Sequence, residues 1–205
     1  MLALLTENWP SILRYGLPIV ISLASFIVSF ITYRANKKSL DVTFEPNLLE
    51  IAHINTGSHS VENPNGIFLC FLKVVNPSST DIGYFDLRVF DNDDPNNTLF
   101  TYSELTLKRF SKGDKDYFDY LSPIGIANLN APSSNYGVFE SNSYTRIDIP
   151  FSPNLKTKSV TVTFKVAIKS RKSNPYANHR KKFKYYSATY EVESNVIKKH
   201  NADIS

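Results

Sequence analysis

The stretch "SVTVTFKVAIK", residues 159–169, alternates apolar and polar side chains along its length. Its apolar positions are Val160, Val162, Phe164, Val166 and Ile168, and its polar positions include Thr161, Thr163, Lys165 and Lys169. Because successive side chains of a β-strand point to opposite faces, this period of two predicts a half-buried strand. The stretch therefore predicts a β-fold for the region around it.

Six further stretches have the composition of strands. They are "NLLEIAHIN", "GIFLCFLKVVN", "YFDLRVFD", "TLFTYSELTL", "YTRIDIP" and "KYYSATYEV". In "YFDLRVFD" the alternation predicts Phe85, Leu87 and Val89 on one face, with Asp86 and Arg88 opposite. "GIFLCFLKVVN" is almost wholly apolar, which indicates a strand covered on both sides.

Turn signals separate these stretches, among them residues 63–66, 76–77, 94–97 and 152–154. No long segment with a helical period follows residue 40. This pattern predicts an all-β antiparallel sandwich over residues 41–193, built from about seven or eight short strands.

An apolar run of uncharged residues, 16–33, precedes this region. At about 1.5 Å per residue it would be roughly 27 Å long, close to the thickness of a bilayer core. The run ends in "ITYRANKK", which is aromatic and then basic, whereas a signal peptide ends in small residues. We predict a retained transmembrane helix at 15–34. A cleaved signal peptide and a buried core helix are the alternatives.

The remaining boundaries follow from this helix. A short tail precedes it at 1–14, a basic linker follows it at 35–40, and a C-terminal tail occupies 194–205. Arg34, Lys37 and Lys38 form the basic flank, whereas Arg14 on the other side is offset by Glu7. The positive-inside rule therefore favours a cytoplasmic C-terminal domain at the cell membrane over an exterior one.

Hydroxylated residues recur on one face of the predicted helix. They are Ser22, Ser25, Ser29 and Thr32. Small hydroxylated residues allow close helix approach, which indicates a packing seam and a homo-oligomer through the helix. Equally, these hydroxyls could bond their own i−4 carbonyls while they face lipid.

A basic cluster is the main candidate site. It comprises Lys169, Arg171, Lys172, Arg180, Lys181, Lys182 and Lys184, with Tyr176 among them. Residues 169–184 contain no acidic side chain and join two predicted strands, so we expect a projecting basic hairpin. Such a hairpin could contact anionic lipid or another anionic partner. A solvated loop is the alternative, and nucleic acid is disfavoured because the rest of the domain is acidic.

The stretch "FLKVVNPSSTDIGYFDLRVF", residues 71–90, resembles the strand, Asn-Pro turn and strand of WHy-type and late-embryogenesis-abundant domains. "IDIPFSP" and "VTVTFKVAI" are similar to later strands of those domains. The resemblance implies an immunoglobulin-like sandwich. Together with the helix, the layout looks like small single-pass membrane proteins of Gram-positive bacteria and their prophages. It implies an anchored accessory module and carries over no catalytic residue.

Enzyme motifs are absent from the sequence, which has no Gly-rich phosphate loop, no G-x-S-x-G and no H-E-x-x-H. His53 and His59 match no metal-ligand spacing, and "DNDDPNN" at 91–97 lacks the glycine and glutamate of an EF-hand. The single cysteine, Cys70, precludes an internal disulfide and has no basic neighbour in sequence. We therefore expect no cofactor, no metal and no catalysis.

The sequence thus predicts a membrane-anchored, non-catalytic interaction module. It would bind a protein partner at the inner membrane surface, with the basic hairpin oriented to anionic lipid. One alternative is a surface-exposed domain that binds wall polymer or an external ligand. Another is a hydrolase or transferase whose site is assembled from distant loops.

Overall fold

The computed structural model describes residues 12–35, 37–57, 59–111, 117–171 and 182–192. The chain divides into two compact units, Met1–Lys38 and Ser39–Ser205. The predicted C-terminal tail, 194–205, lies outside the described residues, as do residues 1–11 of the predicted N-terminal tail.

The first unit is helical. A π-helical turn, Ile12–Gly16, leads into helix α1, Leu17–Ala35. Pro18 lacks an N–H and so removes one bond of the ladder, which accounts for the widened turn before it. Within Arg14–Arg34, the most apolar 18 residues have a mean hydropathy of 1.9, and none of that stretch is buried within the protein. The length and composition of this helix suit a membrane span.

The second unit is a sandwich of two antiparallel sheets, as predicted. The seven-stranded sheet has the order β5-β9-β3-β2-β6-β7, with β1 also paired to β3. Its strands are β1 (Asp41–Phe44), β2 (Leu49–Asn55), β3 (Ser60–Asn76), β5 (Phe100–Thr101), β6 (Phe118–Ser122), β7 (Gly125–Leu129) and β9 (Ser143–Ser152). The four-stranded sheet has the order β11-β10-β4-β8. Its strands are β4 (Ile82–Asp91), β8 (Gly137–Phe139), β10 (Ser159–Lys169) and β11 (Phe183–Glu191).

The main core lies between the two sheets and is centred on Phe164 of β10. Its ring lies 5.4 Å from that of Tyr186 and 6.1 Å from that of Phe139, centroid to centroid. Tyr84 and Phe44 complete the cluster at 6.3 and 6.2 Å. The alternation along β10 predicted its inward positions correctly.

A second core covers the other face of the seven-stranded sheet. It includes Ile67, Phe118 and Leu107, the last from a short helix, α2 (Glu104–Phe110). Asn130, directly after β7, accepts a hydrogen bond from the backbone N–H of Asp148 in β9 at 2.9 Å. The sheet therefore curls until the end of β7 reaches β9. We call this arrangement the curled sheet.

The predicted face assignment in β4 is wrong for Phe85. Asp86 has a φ of 55°, and the register against β10 shifts by one residue between Arg88 and Phe85. This β-bulge reverses the alternation, because one extra residue turns the following side chains to the other face. Leu87 stays in the main core, whereas Phe85 packs edge-on against Phe183 at 5.1 Å.

The prediction that β10 is half-buried is also wrong. Thr161, Thr163 and Lys165, on the face away from the main core, are at most 3% exposed. Each has a polar partner. Thr161 Oγ1 donates to Asn92 Oδ1, directly after β4, at 2.6 Å; Thr163 Oγ1 donates to the Tyr186 carbonyl at 3.0 Å; and Lys165 Nζ lies 2.5 Å from Asp86 Oδ2. The central strand β10 is thus covered on both faces.

Two other local predictions are wrong. "TLFTYSELTL" forms a strand only at β5 and then becomes α2, because the side chain of Ser103 caps the helix by accepting the N–H of Thr106 at 3.3 Å. The predicted turn at 63–66 lies inside β3. Ile51 pairs with Ile67 while His53 pairs with Glu62, so the additional residues of β3 form a bulge.

Candidate functional site

One end of the second unit receives the chain from the helical unit, and we call it the tether end. The backbone N–H of Ser39 donates to Ser78 Oγ at 2.9 Å, and Leu40 is buried in the main core. The carbonyl of Leu40 accepts a hydrogen bond from Tyr186 Oη at 3.1 Å. Asn76 stabilises the turn that the Asn-Pro sequence predicted, since its Oδ1 accepts the Ser78 N–H at 3.0 Å.

The base of the basic hairpin lies at this same end. β10 runs into it and β11 runs out of it, with Val166 opposite Lys184 and the backbone N–H of Ser170 donating to the Lys182 carbonyl at 3.0 Å. Tyr186 of β11, two residues after Lys184, is the side chain that bonds Leu40. The chain's point of arrival and the hairpin base are therefore held together by a direct hydrogen bond.

The described cations of the hairpin differ in their surroundings. Lys169, Arg171 and Lys182 are exposed. Lys184 is half-buried, and its ammonium lies 4.7 Å from the centre of the Tyr186 ring, a cation–π distance. The other predicted members of the site lie outside the described residues; these are Lys172, Tyr176, Arg180 and Lys181.

The predicted helix residues are exposed along α1. They are Ser22, Ser25, Ser29 and Thr32. Thr32 Oγ1 donates to the Val28 carbonyl at 2.9 Å, the i−4 bond that the lipid-facing alternative expects. In the basic flank, the Arg34 guanidinium lies 5.5 Å from the centre of the Phe30 ring, and Lys37 and Lys38 are exposed. The packing seam stays a prediction.

The acidic stretch "DNDDPNN", which lacks the features of a calcium loop, forms a hydrogen-bonded turn in the structure. Asp91, at the start of "DNDDPNN", is 8% exposed, and its Oδ2 accepts the Thr157 hydroxyl at 2.6 Å. Its Oδ1 accepts the Asp93 N–H at 3.0 Å. Both carboxylate oxygens of Asp91 therefore accept hydrogen bonds that stabilise the turn after β4. Within the described ranges, no three His, Cys, Asp or Glu side chains lie together as metal ligands would.

Cys70 is fully buried at the centre of β3, and its Sγ lies 3.4 Å from Tyr190 Oη. Burial raises the pKa of the Cys70 thiol to about 11, against a lesser opposing effect of the Tyr190 hydrogen bond. A nucleophilic cysteine needs the reverse, a lowered pKa with solvent access. Desolvation also raises the pKa of the Tyr190 phenol. The Cys70 thiol and the Tyr190 phenol are therefore both protonated at neutral pH.

The raised thiol pKa gives a testable pH dependence. The pKa of the Cys70 thiol is about 9 in the unfolded chain and about 11 in the folded chain. Between these pH values the folded chain therefore keeps a thiol proton that the unfolded chain loses. The free energy of unfolding should therefore fall as pH rises through this window, by about 2 to 3 kcal/mol in all. Chemical denaturation of the full chain at pH 8, 9 and 10 measures the slope. The variant Cys70→Ala should show a shallower fall between pH 9 and 10, and an equal slope would contradict the assignment.

A groove opens beside the second core, on the face of the seven-stranded sheet that carries this core. It has a volume of about 420 Å³. Its lining residues are Glu45, Pro46, Asn47, Leu48, Leu49, Phe71, Lys73 and Arg146. Lys73 of β3 and Arg146 of β9 are direct cross-strand partners, and Phe71 lies two residues from Lys73 on the same face.

Each cation of this groove has a carboxylate beside it. Lys73 forms an ion pair with Glu45. Arg146 Nε donates to Asp148 Oδ1 at 2.8 Å, and the Asp148 side chain is fully buried. Burial lowers the pKa of Arg146, but the Asp148 carboxylate and then the Tyr120 hydroxyl outweigh this and raise it above its ordinary value. The guanidinium lies 5.1 Å from the centre of the Phe71 ring.

Sequence reasoning missed this groove. The alternation in "FLKVV" places Phe71 and Lys73 on one face, and that in "YTRIDIP" does the same for Arg146 and Asp148. What the sequence does not give is the pairing of β3 with β9, which brings these two faces together.

Comparisons with known proteins place the chain in no family. No family model matches it, and no curated protein matches its sequence. Among solved structures, a candidate lipoprotein of Bacillus subtilis matches over 82% of this chain with 10% identity and a TM-score of 0.36. This chain corresponds to 41% of the length of that structure.

Proposed function

We propose that this protein is a membrane-anchored, non-catalytic interaction module. Helix α1 holds the chain in the cell membrane, and the β-sandwich binds a protein partner at the inner surface. The basic hairpin, 169–184, contacts anionic lipid and thereby orients the sandwich. The observation that carries this proposal is the hydrogen bond from Tyr186 Oη to the Leu40 carbonyl, which ties the base of the hairpin to the tether end.

The short tether makes this position important. Only residues 36–39 lie between the end of α1 and Leu40. Five Cα–Cα steps of about 3.5 Å limit the separation of Ala35 and Leu40 to roughly 17 Å. We infer from this length that the hairpin base, which is hydrogen-bonded to Leu40, has the membrane surface within reach.

The electrostatics support lipid as the hairpin's contact. Each Lys or Arg near an anionic membrane surface contributes about 1 kcal/mol, an attraction that fades within a Debye length of about 8 to 10 Å. Lys169, Arg171 and Lys182 are exposed and close to the tether end. Since the helix already confines the domain to the surface, a few such contacts suffice to hold one orientation. The basic flank Arg34, Lys37 and Lys38 favours the cytoplasmic side, where anionic lipid is abundant.

The contact can be tested by energy transfer from the hairpin to the bilayer. A donor fluorophore on Ser170→Cys would be measured against labelled lipid headgroups, with the full chain in nanodiscs. We expect higher transfer in discs that contain anionic lipid than in zwitterionic discs, and we expect salt to remove the difference. The double variant Arg171→Glu with Lys182→Glu should lose it at low salt.

A matched control comes from the opposite end of β10. Lys156 and Lys158 are exposed in the turn that precedes this strand. Their reversal to Glu makes the same change in net charge, and it should leave the lipid-dependent transfer intact. Equal loss in both double variants would mean that only overall charge matters. No lipid dependence in the unaltered chain would refute the membrane contact outright.

A further inference from the structure

The groove beside the second core has the chemistry of a ligand site. Two cations, Lys73 and Arg146, face each other across β3 and β9. Like charges directly opposite each other destabilise a sheet. The fold keeps this pair by placing a carboxylate beside each one, Glu45 for Lys73 and Asp148 for Arg146.

Arg146 is held in a fixed orientation. Asp148 is fully buried, and its second oxygen accepts the backbone N–H of Asn130 at 3.0 Å. Its first oxygen accepts a hydrogen bond from Arg146 Nε, and the guanidinium makes a cation–π contact with the Phe71 ring. A guanidinium has five N–H donors; Asp148 accepts the one on Nε and the Tyr120 hydroxyl is a second partner, so donors on the terminal nitrogens remain for a ligand, and the side chain is 40% exposed at the groove. Such a positioned cation binds a planar anion at little cost in entropy.

Lys73 is held differently. Its partner Glu45 lies in the loop after β1, and both side chains are about one-third or more exposed, at 44% and 34%. An exposed pair of this kind is weak and exchanges readily with other partners. An anion that reaches Arg146 can therefore compete with Glu45 for the lysine. Glu45 thus occupies the place of a ligand carboxylate.

The rest of the groove is apolar. Leu48, Leu49 and Phe71 line it beside the cations, and Pro46 is a further apolar lining residue. Leu49 and Phe71 also pack against the second core, so this surface is supported from behind. A volume of about 420 Å³ matches the sites that hold small organic molecules.

From these features we infer that the groove binds a small amphiphilic carboxylate, with its anionic head at Arg146 and Lys73 and its aliphatic or aromatic body on Leu48, Leu49 and Phe71. This site is separate from the basic hairpin, and its ligand is a soluble organic acid, not a membrane surface.

The first test uses 4-phenylbutyrate, titrated by calorimetry into the full chain in zwitterionic nanodiscs, with empty discs as the blank. We expect saturable binding with a Kd in the millimolar range or tighter. The uncharged isostere 4-phenylbutyramide and the tail-free anion acetate should each bind at least tenfold more weakly. Equal binding of the amide, or no saturable binding of the acid, would overturn the proposal.

The decisive variant is Glu45→Gln, because it predicts a gain. Removal of the competing carboxylate should tighten phenylbutyrate binding by about three- to tenfold, an outcome that misfolding cannot produce. Both structural bonds of Glu45 use its backbone, the N–H to Phe71 and the carbonyl to Tyr190, so glutamine preserves them. Unchanged or weaker binding in this variant would contradict the site.

The matched control is Glu104→Gln. It removes the carboxylate that pairs with Lys108 at 2.7 Å in α2, away from the groove lining. Affinity should stay within twofold of the unaltered chain. A gain equal to that of Glu45→Gln would show that lowered net negative charge, and not the groove, governs binding, and it too would overturn the proposal.

Discussion

Replacement of Phe164 by alanine should lower the free energy of unfolding of the sandwich by about 3 to 5 kcal/mol. The side chain is 1% exposed, and its ring meets those of Phe44, Tyr84, Phe139 and Tyr186. Truncation removes buried apolar area and leaves a cavity between two sheets, which collapses poorly because both walls are hydrogen-bonded strands. Small domains have a total stability of about 5 to 15 kcal/mol, so this loss is a large fraction.

Urea denaturation of the full chain in detergent, followed by near-ultraviolet circular dichroism, measures this loss. Phe110→Ala is the matched control, since Phe110 is 45% exposed at the end of α2. It should cost less than about 1 kcal/mol. If the two variants lost similar amounts, Phe164 would not be the centre of the main core.

The second large effect concerns the ion pair of Asp86 and Lys165. The Lys165 side chain is 3% exposed, and its ammonium lies 2.5 Å from Asp86 Oδ2. Asp86→Asn keeps a residue type that tolerates the φ of 55° but removes the charge. A buried ammonium without its carboxylate is strongly destabilising. Because Asp86 itself is 28% exposed, water offsets part of the penalty, and we expect a loss of about 2 to 3 kcal/mol.

A double-mutant cycle separates the charge effect from a packing effect. Adding Lys165→Met to Asp86→Asn should restore stability to within about 1 kcal/mol of the unaltered chain, because the buried ammonium that lost its carboxylate is then removed. Asp93→Asn, in the exposed turn after β4, should change stability by less than about 0.5 kcal/mol. Additive losses in the double variant would show that the two side chains are not coupled.

Local pattern predicted much of this fold. Strict alternation predicted the inward face of β10, and the Asn76-Pro77 sequence predicted a turn. These features depend on neighbours in sequence, where period and turn chemistry act directly.

The two bulges that were missed share one cause, which is that long-range pairing overrides local pattern. The bulge at Asp86 follows from the register of β4 against β10, and the bulge at 63–66 follows from that of β3 against β2. The pairing of β3 with β9 and the curl that brings Asn130 to Asp148 create the groove from residues far apart in sequence. Alternation alone carries no information on which strands are neighbours.

Thiol labelling can show on which side of the membrane the sandwich lies. A Ser187→Cys substitution places a thiol at an exposed position of β11, in a Cys70→Ala background. The full chain would be treated with a membrane-impermeant maleimide in wall-stripped cells and in inverted membrane vesicles. We expect labelling in inverted vesicles alone, because the proposed location is the inner surface. Labelling in the stripped cells would place the sandwich outside and refute the proposed location.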